Sequence, residues 1–323
     1  MNKNNNYYEP FYKAKFKKNY NKISIKKFEK NISINNIIKL KNNKFLSVSY
    51  NKITIQDKLI IENKNKYKNI YKLKESSQIS NTIELLLTDS KNDTDITIAY
   101  SINNILKIYN FPTKDFICVF NDHEWAITSI IEFERGKILT SSNDKTIRLF
   151  DYIENECKLN LLAHDWNINK MILLKNNNNL VATCSWDKTI KIWEIKDDIF
   201  YWELKGHSDC VNDICEVESK KNLILSVSQD KSIKEWDFEK EICLKTFVNV
   251  SLNGISKIIW VNNNVFLTYF DEDVFVFWDY KLKQKFLIFE HKYYHLENYS
   301  VFEENGKKII YLFYLDNIYK ICN

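Results

Sequence analysis

Three histidines, His123, His164 and His207, stand at intervals of 41 and 43 residues. Histidine is the commonest metal ligand and general base, so such a set first raises metal or acid–base chemistry. No short-range cluster of His, Cys, Asp or Glu accompanies them, and a near-constant interval of about 42 residues reads as one role repeated in successive structural units. The acidic runs Asp197-Asp198 and Asp271-Glu272-Asp273 contain paired carboxylates, but each falls at a predicted turn, where a solvated acid is expected. Four isolated glycines cannot build a phosphate-cradling loop, and no Ser or Cys nucleophile occupies a recognisable elbow. Seven cysteines (118, 157, 184, 210, 215, 243 and 322) include no Cys-x-x-Cys pair and are odd in number, which points to reduced structural thiols and not to a disulfide framework or a zinc site. The expectation is a protein with no catalytic residues, no cofactor and no metal.

The elements that carry these residues repeat. Stretches of strand character ending in an aromatic and an acidic residue recur as KTIRLFD (145–151), KTIKIWE (188–194) and KSIKEWD (231–237). The same register continues at Asp57, Asn110, Asp279 and Cys322, with intervals of 53, 41, 43, 43, 42 and 43. Each unit holds several alternating strand patterns and no long helical face, so the chain is predicted to be all-β, a single ring of seven four-stranded antiparallel blades. In the fifth unit the predicted strands are Cys210 to Val217, Leu223 to Ser228, Ser232 to Trp236 and Glu241 to Thr246, with a turn at Gln229-Asp230-Lys231. Within units three to five the polar residues keep step: Thr140, Asp144 and Phe150; Thr183, Asp187 and Trp193; Ser226, Asp230 and Trp236. In each set the acid lies four residues after the hydroxyl and six before the aromatic.

LKGH (204–207), ATCSWDKTIKIWE (182–194) and LSVSQDKSIKEWD (225–237) resemble the WD-repeat β-propeller family. The likeness covers residues 20–323 as a pattern and is close in units three to five. It implies a buried network in each of those blades, linking His123, Thr140 and Asp144; His164, Thr183, Asp187 and Trp193; His207, Ser226, Asp230 and Trp236. Such a network is physically coherent, because a buried Asp needs donors and a buried imidazole or indole N–H needs an acceptor. Phe150 has no indole, so the third unit is expected to have a shortened network. Unit six keeps Thr268, Glu272 and Trp278 without a histidine; unit seven has His291 but Leu315 and Ile321 in the acid and aromatic places; unit one has Asn51 and Gln56. Eroded blades must then rely on packing against their neighbours.

The last unit stops after its third strand, at Asn323, while Lys22 to Glu29 alternates Ile23, Ile25 and Phe28 with polar residues. That N-terminal strand is predicted to pair in the last blade and close the ring. The longer first interval places an insertion of about ten residues within Lys58 to Asn81, in the outer strand and the loop after it.

The family resemblance also implies that the turns before inner strands and those between second and third strands open on one rim that binds partners. Trp125 and Trp166 each follow a network histidine by two residues and Trp186 immediately precedes Asp187, so these three are expected at the rim, bordered by Asn143, Asp209 and Gln229. Exposed aromatics make effective anchors because they bury a large area at little entropic cost.

The composition, 45% apolar and 28% charged, suits a folded chain with a large core and excludes disorder throughout. No apolar run reaches the length of a membrane-spanning helix, and MNKNNNYYEPFYKAKF lacks the apolar segment of a secretory signal, so no membrane insertion is expected and the protein is placed inside the cell, in the cytoplasm ahead of the nucleus. Residues 1–30 carry nine lysines against Glu9 and Glu29, a surplus of seven in a chain of net charge +5, so the remainder sums to −2. Within that excess, residues 1–19 form a basic arm in which Lys13, Lys15, Lys17 and Lys18 alternate with Tyr7, Tyr8, Phe11, Tyr12 and Phe16, ahead of a propeller at 20–323.

The expected role is a non-catalytic scaffold, one subunit of a multiprotein assembly, with other proteins as partners and no small-molecule substrate. The alternative is nucleic-acid or ribosome association through the arm, with steep salt dependence. A third reading is a ubiquitin-ligase substrate receptor, because Trp278-Asp279-Tyr280-Lys281 is similar to the Trp-Asp-x-Arg motif of such receptors. Lysine there cannot make the planar bidentate contact of arginine.

Overall fold

A computed structural model describes residues 24–29, 34, 36–40, 44–56, 69–85, 96–175, 180–195, 200–247, 254–262, 264–270, 274–281, 284–290, 298–304, 307–313 and 317–322. These residues form strands and turns without a helix, arranged as seven four-stranded antiparallel sheets that are the blades of a seven-bladed β-propeller. Blades are numbered here by their inner strands, which begin at Asn36, Thr82, Ile127, Ile168, Val211, Ile255 and Asn298.

The second strands of blades 2, 4, 5 and 6 are buried along their whole length, as in Leu180–Ser185 and Leu223–Ser228. Both of their faces are covered by neighbouring blades, which removes the alternation expected of a half-solvated strand. The outer strand of blade 3 does alternate, and Glu156–Leu162 runs exposed and half-buried by turns. Apolar clusters straddle successive blades: Leu46 and Ile53 of blade 1 pack with Ile98 and Tyr100 of blade 2, and Ile192 of blade 4 packs with Ile214 and Trp236 of blade 5. The core is therefore shared between blades and not contained within them.

Polar side chains tie inner strands together at two levels. Asn81, Asn169 and Asn212 each donate from Nδ2 to the first carbonyl of the next inner strand, at Ile127, Val211 and Ile255, over 2.9, 2.8 and 2.9 Å. Ser129, Asp213 and Ser300 each accept a backbone N–H from the next blade, from Met171, Ile258 and Ile37, at 3.0, 3.1 and 2.8 Å. The last of these joins blade 7 to blade 1.

The ring closes as its ends predict. Ser24–Glu29 pairs antiparallel with Asn317–Cys322, from Ser24 opposite Cys322 to Glu29 opposite Asn317, and becomes the outer strand of blade 7. In blade 5 the strands Val211–Glu216, Leu223–Ser228, Ile233–Asp237 and Ile242–Phe247 agree with the predicted bounds to within a residue or so. The insertion is corrected. The outer strand of blade 1, Asn69–Lys74, has six residues like its counterparts, and the extra length precedes it at 57–68, outside the described residues. A second long connection, 86–95, separates Thr82–Glu84 from Thr97–Ile102 and also lies outside them. Ladder pairing with Lys52–Gln56 fixes the outer strand, so added residues accumulate where no ladder is broken.

Candidate functional site

Each of blades 3 to 5 carries a polar chain running from its core to its upper turn. In blade 5, Trp236 Nε1 donates to Ser226 Oγ at 2.8 Å, Ser226 Oγ meets His207 Nε2 at 2.7 Å, and His207 Nδ1 meets Asp230 Oδ2 at 2.7 Å. Blade 4 repeats it through Trp193, Thr183, His164 and Asp187 at 2.8, 2.8 and 2.7 Å. Blade 3 has His123 between Thr140 and Asp144 at 2.7 Å each, and Phe150 places a ring edge against the imidazole where the indole donor would be. A neutral imidazole suits this order: Nδ1–H donates to the carboxylate and Nε2 accepts the hydroxyl proton, while the hydroxyl oxygen accepts the indole N–H.

The aspartate also builds the turn. Asp187 Oδ2 accepts the Asp165 N–H at 3.1 Å, and Oδ1 accepts the N–H and hydroxyl of Thr189 at 3.0 and 2.6 Å. The following residue must then turn left-handed, and Lys145, Lys188 and Lys231 have φ of 74°, 73° and 68°. A lysine there carries a steric penalty that glycine would not, and the bonds around the aspartate hold the turn against it.

Burial lowers the imidazoles of His164 and His207 below their ordinary value, against the pull of Asp187 and Asp230. Burial alone would raise the three carboxyls, but hydrogen bonds from the histidine and from Thr146, Thr189 or Ser232 outweigh it and hold Asp144, Asp187 and Asp230 well below the usual carboxylate range. Both shifts have the same sign for folding, because the unfolded chain binds these protons more readily. The histidine contribution is complete above pH 6.5 and is lost as pH falls through the lower folded values; the aspartate contribution is complete above pH 3.8 and is lost below it. Thermal melting across pH should show Tm falling in two stages on acidification. A Tm that stays flat from pH 6.5 to 3.8 would contradict neutral buried histidines.

The six rim residues fall into two sets of equivalent positions. Trp125, Trp166 and Asp209 follow the histidines, and their carbonyls accept hydrogen bonds from Ser142, Ser185 and Ser228 at 2.8, 3.2 and 3.0 Å. Asn143, Trp186 and Gln229 precede the aspartates, and their N–H groups donate to Ala126, Asn167 and Cys210. The rim backbone is thus bonded to the blade at both sets. Trp125, Trp166 and Trp186 are 66%, 58% and 48% exposed, so they do not disappear into neighbouring blades. Lys145 of blade 3 places its ammonium 5.7 Å over the Trp166 ring, bridging two blades. Gln229 is exposed, yet it accepts from Asn212 Nδ2 at 3.1 Å and lies so close over Gly254 that a Cβ there would meet its Oε1 at 2.2 Å. Asn143 and Asp209 are half-buried.

Elsewhere, Trp278 keeps its bond to Thr268 at 2.8 Å without a histidine. Trp278, Asp279 and Tyr280 are buried and Tyr280 donates to Glu235, leaving Lys281 exposed. Asp197-Asp198, Asp271-Glu272-Asp273, His291, Leu315 and the arm 1–19 lie outside the described residues. Among the described residues no group of three His, Cys, Asp or Glu side chains could hold a metal ion, and no helix is long and apolar enough to cross a membrane.

Sequence reasoning missed one polar layer, in the central channel. Blades 3 to 6 share a bulge near the top of the inner strand, and the residue just below it is Ser129, Lys170, Asp213 or Lys257. The bulge breaks alternation, so no spacing in the sequence marks this layer.

Fold and network together define a seven-bladed β-propeller whose blades 3 to 5 are similar to WD repeats. Residues 114–151, 155–194 and 200–237 match the family model of the WD domain, G-beta repeat. Each matched segment begins near the outer strand of one blade and ends with the third strand of the next, the same offset that closes the ring. No curated protein gives a significant match to the chain. Propellers of this family typically serve as protein-interaction scaffolds and are generally non-catalytic.

Proposed function

We propose that this chain is a non-catalytic scaffold, one subunit of a multiprotein assembly, which binds another protein through the rim over blades 3 to 5. The observation that carries this reading is the set of three exposed tryptophans on backbone bonded to rigid networks. A preorganised aromatic loses little entropy on binding, and truncating such an anchor typically costs about 2 kcal/mol or more of binding energy. Asp209, Asn143 and Lys145 give the aromatic patch a polar border that can fix orientation.

The test is affinity capture from the native cell, with nuclease present, comparing the intact chain with Trp125→Ala/Trp166→Ala/Trp186→Ala after melting has verified its fold. The triple variant is expected to lose a defined set of proteins. An unchanged set would overturn the rim reading, and a set lost on nuclease treatment alone would favour the reading in which the basic arm, with five lysines against Glu9, holds nucleic acid.

A further inference from the structure

Between the inner strands of blades 4 to 7 the central channel widens into a cavity of about 460 Å³. Its mouth is on the face opposite the tryptophan rim, because Lys175, Glu218 and Lys308 stand beside the connections between first and second strands. The charges at the mouth satisfy one another. Glu218 Oε1 accepts from Lys308 Nζ at 2.7 Å and from Lys175 Nζ at 3.4 Å, and Glu216 Oε2 accepts the Lys175 N–H at 2.8 Å.

Deeper in, the balance is different. Lys170 places its ammonium 5.9 Å over the Tyr299 ring, across the channel. Asp213 stands at the same level in the next blade, and Lys257 follows it in the blade after that, at the matching register below the bulge. Asp213 is fully buried and already accepts the Ile214 N–H at 3.0 Å and the Ile258 N–H at 3.1 Å. Among the described residues neither Lys170 nor Lys257 has an ion-pair partner within 4.0 Å. Lys170 and Lys257 thus stand one blade to either side of Asp213 at one level of the inner strands, and only Lys170, hydrogen-bonded to Tyr299, lines the cavity, where its positive charge favours an anion. The cavity wall beside Lys170 is apolar, formed by Ile172, Ile214, Ile258 and Val301.

We propose that this cavity is a second binding site, independent of the rim, for a small organic anion: a carboxylate at Lys170 with an apolar body lying along the isoleucine wall. The carboxylate supplies the missing counter-charge of the channel layer, and the body displaces water from a surface that gains nothing from wetting.

Isothermal titration calorimetry of the full chain with octanoate tests this, using octanol as the apolar body without the charge and inorganic phosphate as the anion without the body. Octanoate is expected to bind with Kd of about 1 mM or tighter, as its size allows, and at least about tenfold more tightly than either control. Lys170→Met should weaken octanoate at least about tenfold and Lys145→Met, on the opposite face, should leave it unchanged. If Lys170→Met does not fold, Lys170→Gln supplies the same comparison. No octanoate binding, equal binding of octanol or phosphate, or full octanoate affinity in the folded channel-lysine variant would each overturn the proposal.

Discussion

A chain lacking residues 1–30 is expected to yield no soluble, cooperatively melting protein. The deletion removes Ser24–Glu29, whose six residues pair along the whole of Asn317–Cys322. Without that strand, Asn317–Cys322 becomes the unpaired edge of an open ring, and Ile321, now buried, loses part of its cover. Six lost residues of ladder and packing are comparable with the whole net stability of a domain, about 5–15 kcal/mol. The loss also falls on blade 7, whose polar network is eroded and which depends on its neighbours. Moving residues 22–30 to follow Asn323 through a short flexible linker should restore folding, because the strand then reaches the same ladder from the other end of the chain. Circular dichroism melting of the three proteins checks both results. A deletion that melts cooperatively near the Tm of the intact chain would contradict closure by this strand.

Asp187→Ala is expected to destabilise the protein by about 3–5 kcal/mol, because it orphans buried partners instead of trimming a surface. The carboxylate accepts from His164, from the Asp165 N–H and from both the N–H and hydroxyl of Thr189. With it gone, His164 Nδ1 keeps only the longer contact to Thr189 Oγ1 at 3.3 Å, and Lys188 keeps its left-handed conformation without the carboxylate bonds that hold the turn. The neighbouring blade supplies an internal comparison. Thr183 serves both His164 and Trp193, whereas Thr140 serves His123 with no indole behind it. Thr183→Val should therefore cost about 1 kcal/mol more than Thr140→Val, the net worth of one further buried hydrogen bond. Chemical denaturation of the variants measures these differences. Equal losses at Thr183 and Thr140 would mean that the indole bond adds nothing. Trp166 and Trp186 flank the same turn, so Asp187→Ala should weaken rim binding as well as stability.

The residues that sequence read best are those whose spacing is imposed by a single local object. The Asp turn fixes four residues from hydroxyl to acid and six from acid to aromatic, since Thr183, Asp187 and Trp193 must all reach His164 or one another. That constraint survives in a one-dimensional string, and so does the period of the blades. Ring closure was legible because an alternating strand at 22–29 and a missing strand after Cys322 complement each other. The channel layer was not legible. Lys170 and Asp213 come to one level of the inner strands only because a bulge after Ile168 and after Val211 shifts the register, and a bulge leaves no mark in composition. The insertion was misplaced for a related reason: period counting finds extra length within an interval, but only ladder pairing says which connection absorbs it. Gln229 belongs with Asn143 and Trp186 by position, yet the small residue opposite it, Gly254, lets its amide lie against the next blade while it stays exposed.

Hydrogen exchange of the captured complex against the free chain tests the central claim most directly, because it reports where the partner sits. Slowed exchange is expected in the rim turns around 123–126, 143–146, 164–167 and 186–189, with the turns at 174–175 and 217–222 on the opposite face unchanged. Protection confined to the opposite face or to the first thirty residues, with the rim turns exchanging as in the free chain, would contradict a scaffold that binds through its tryptophan rim.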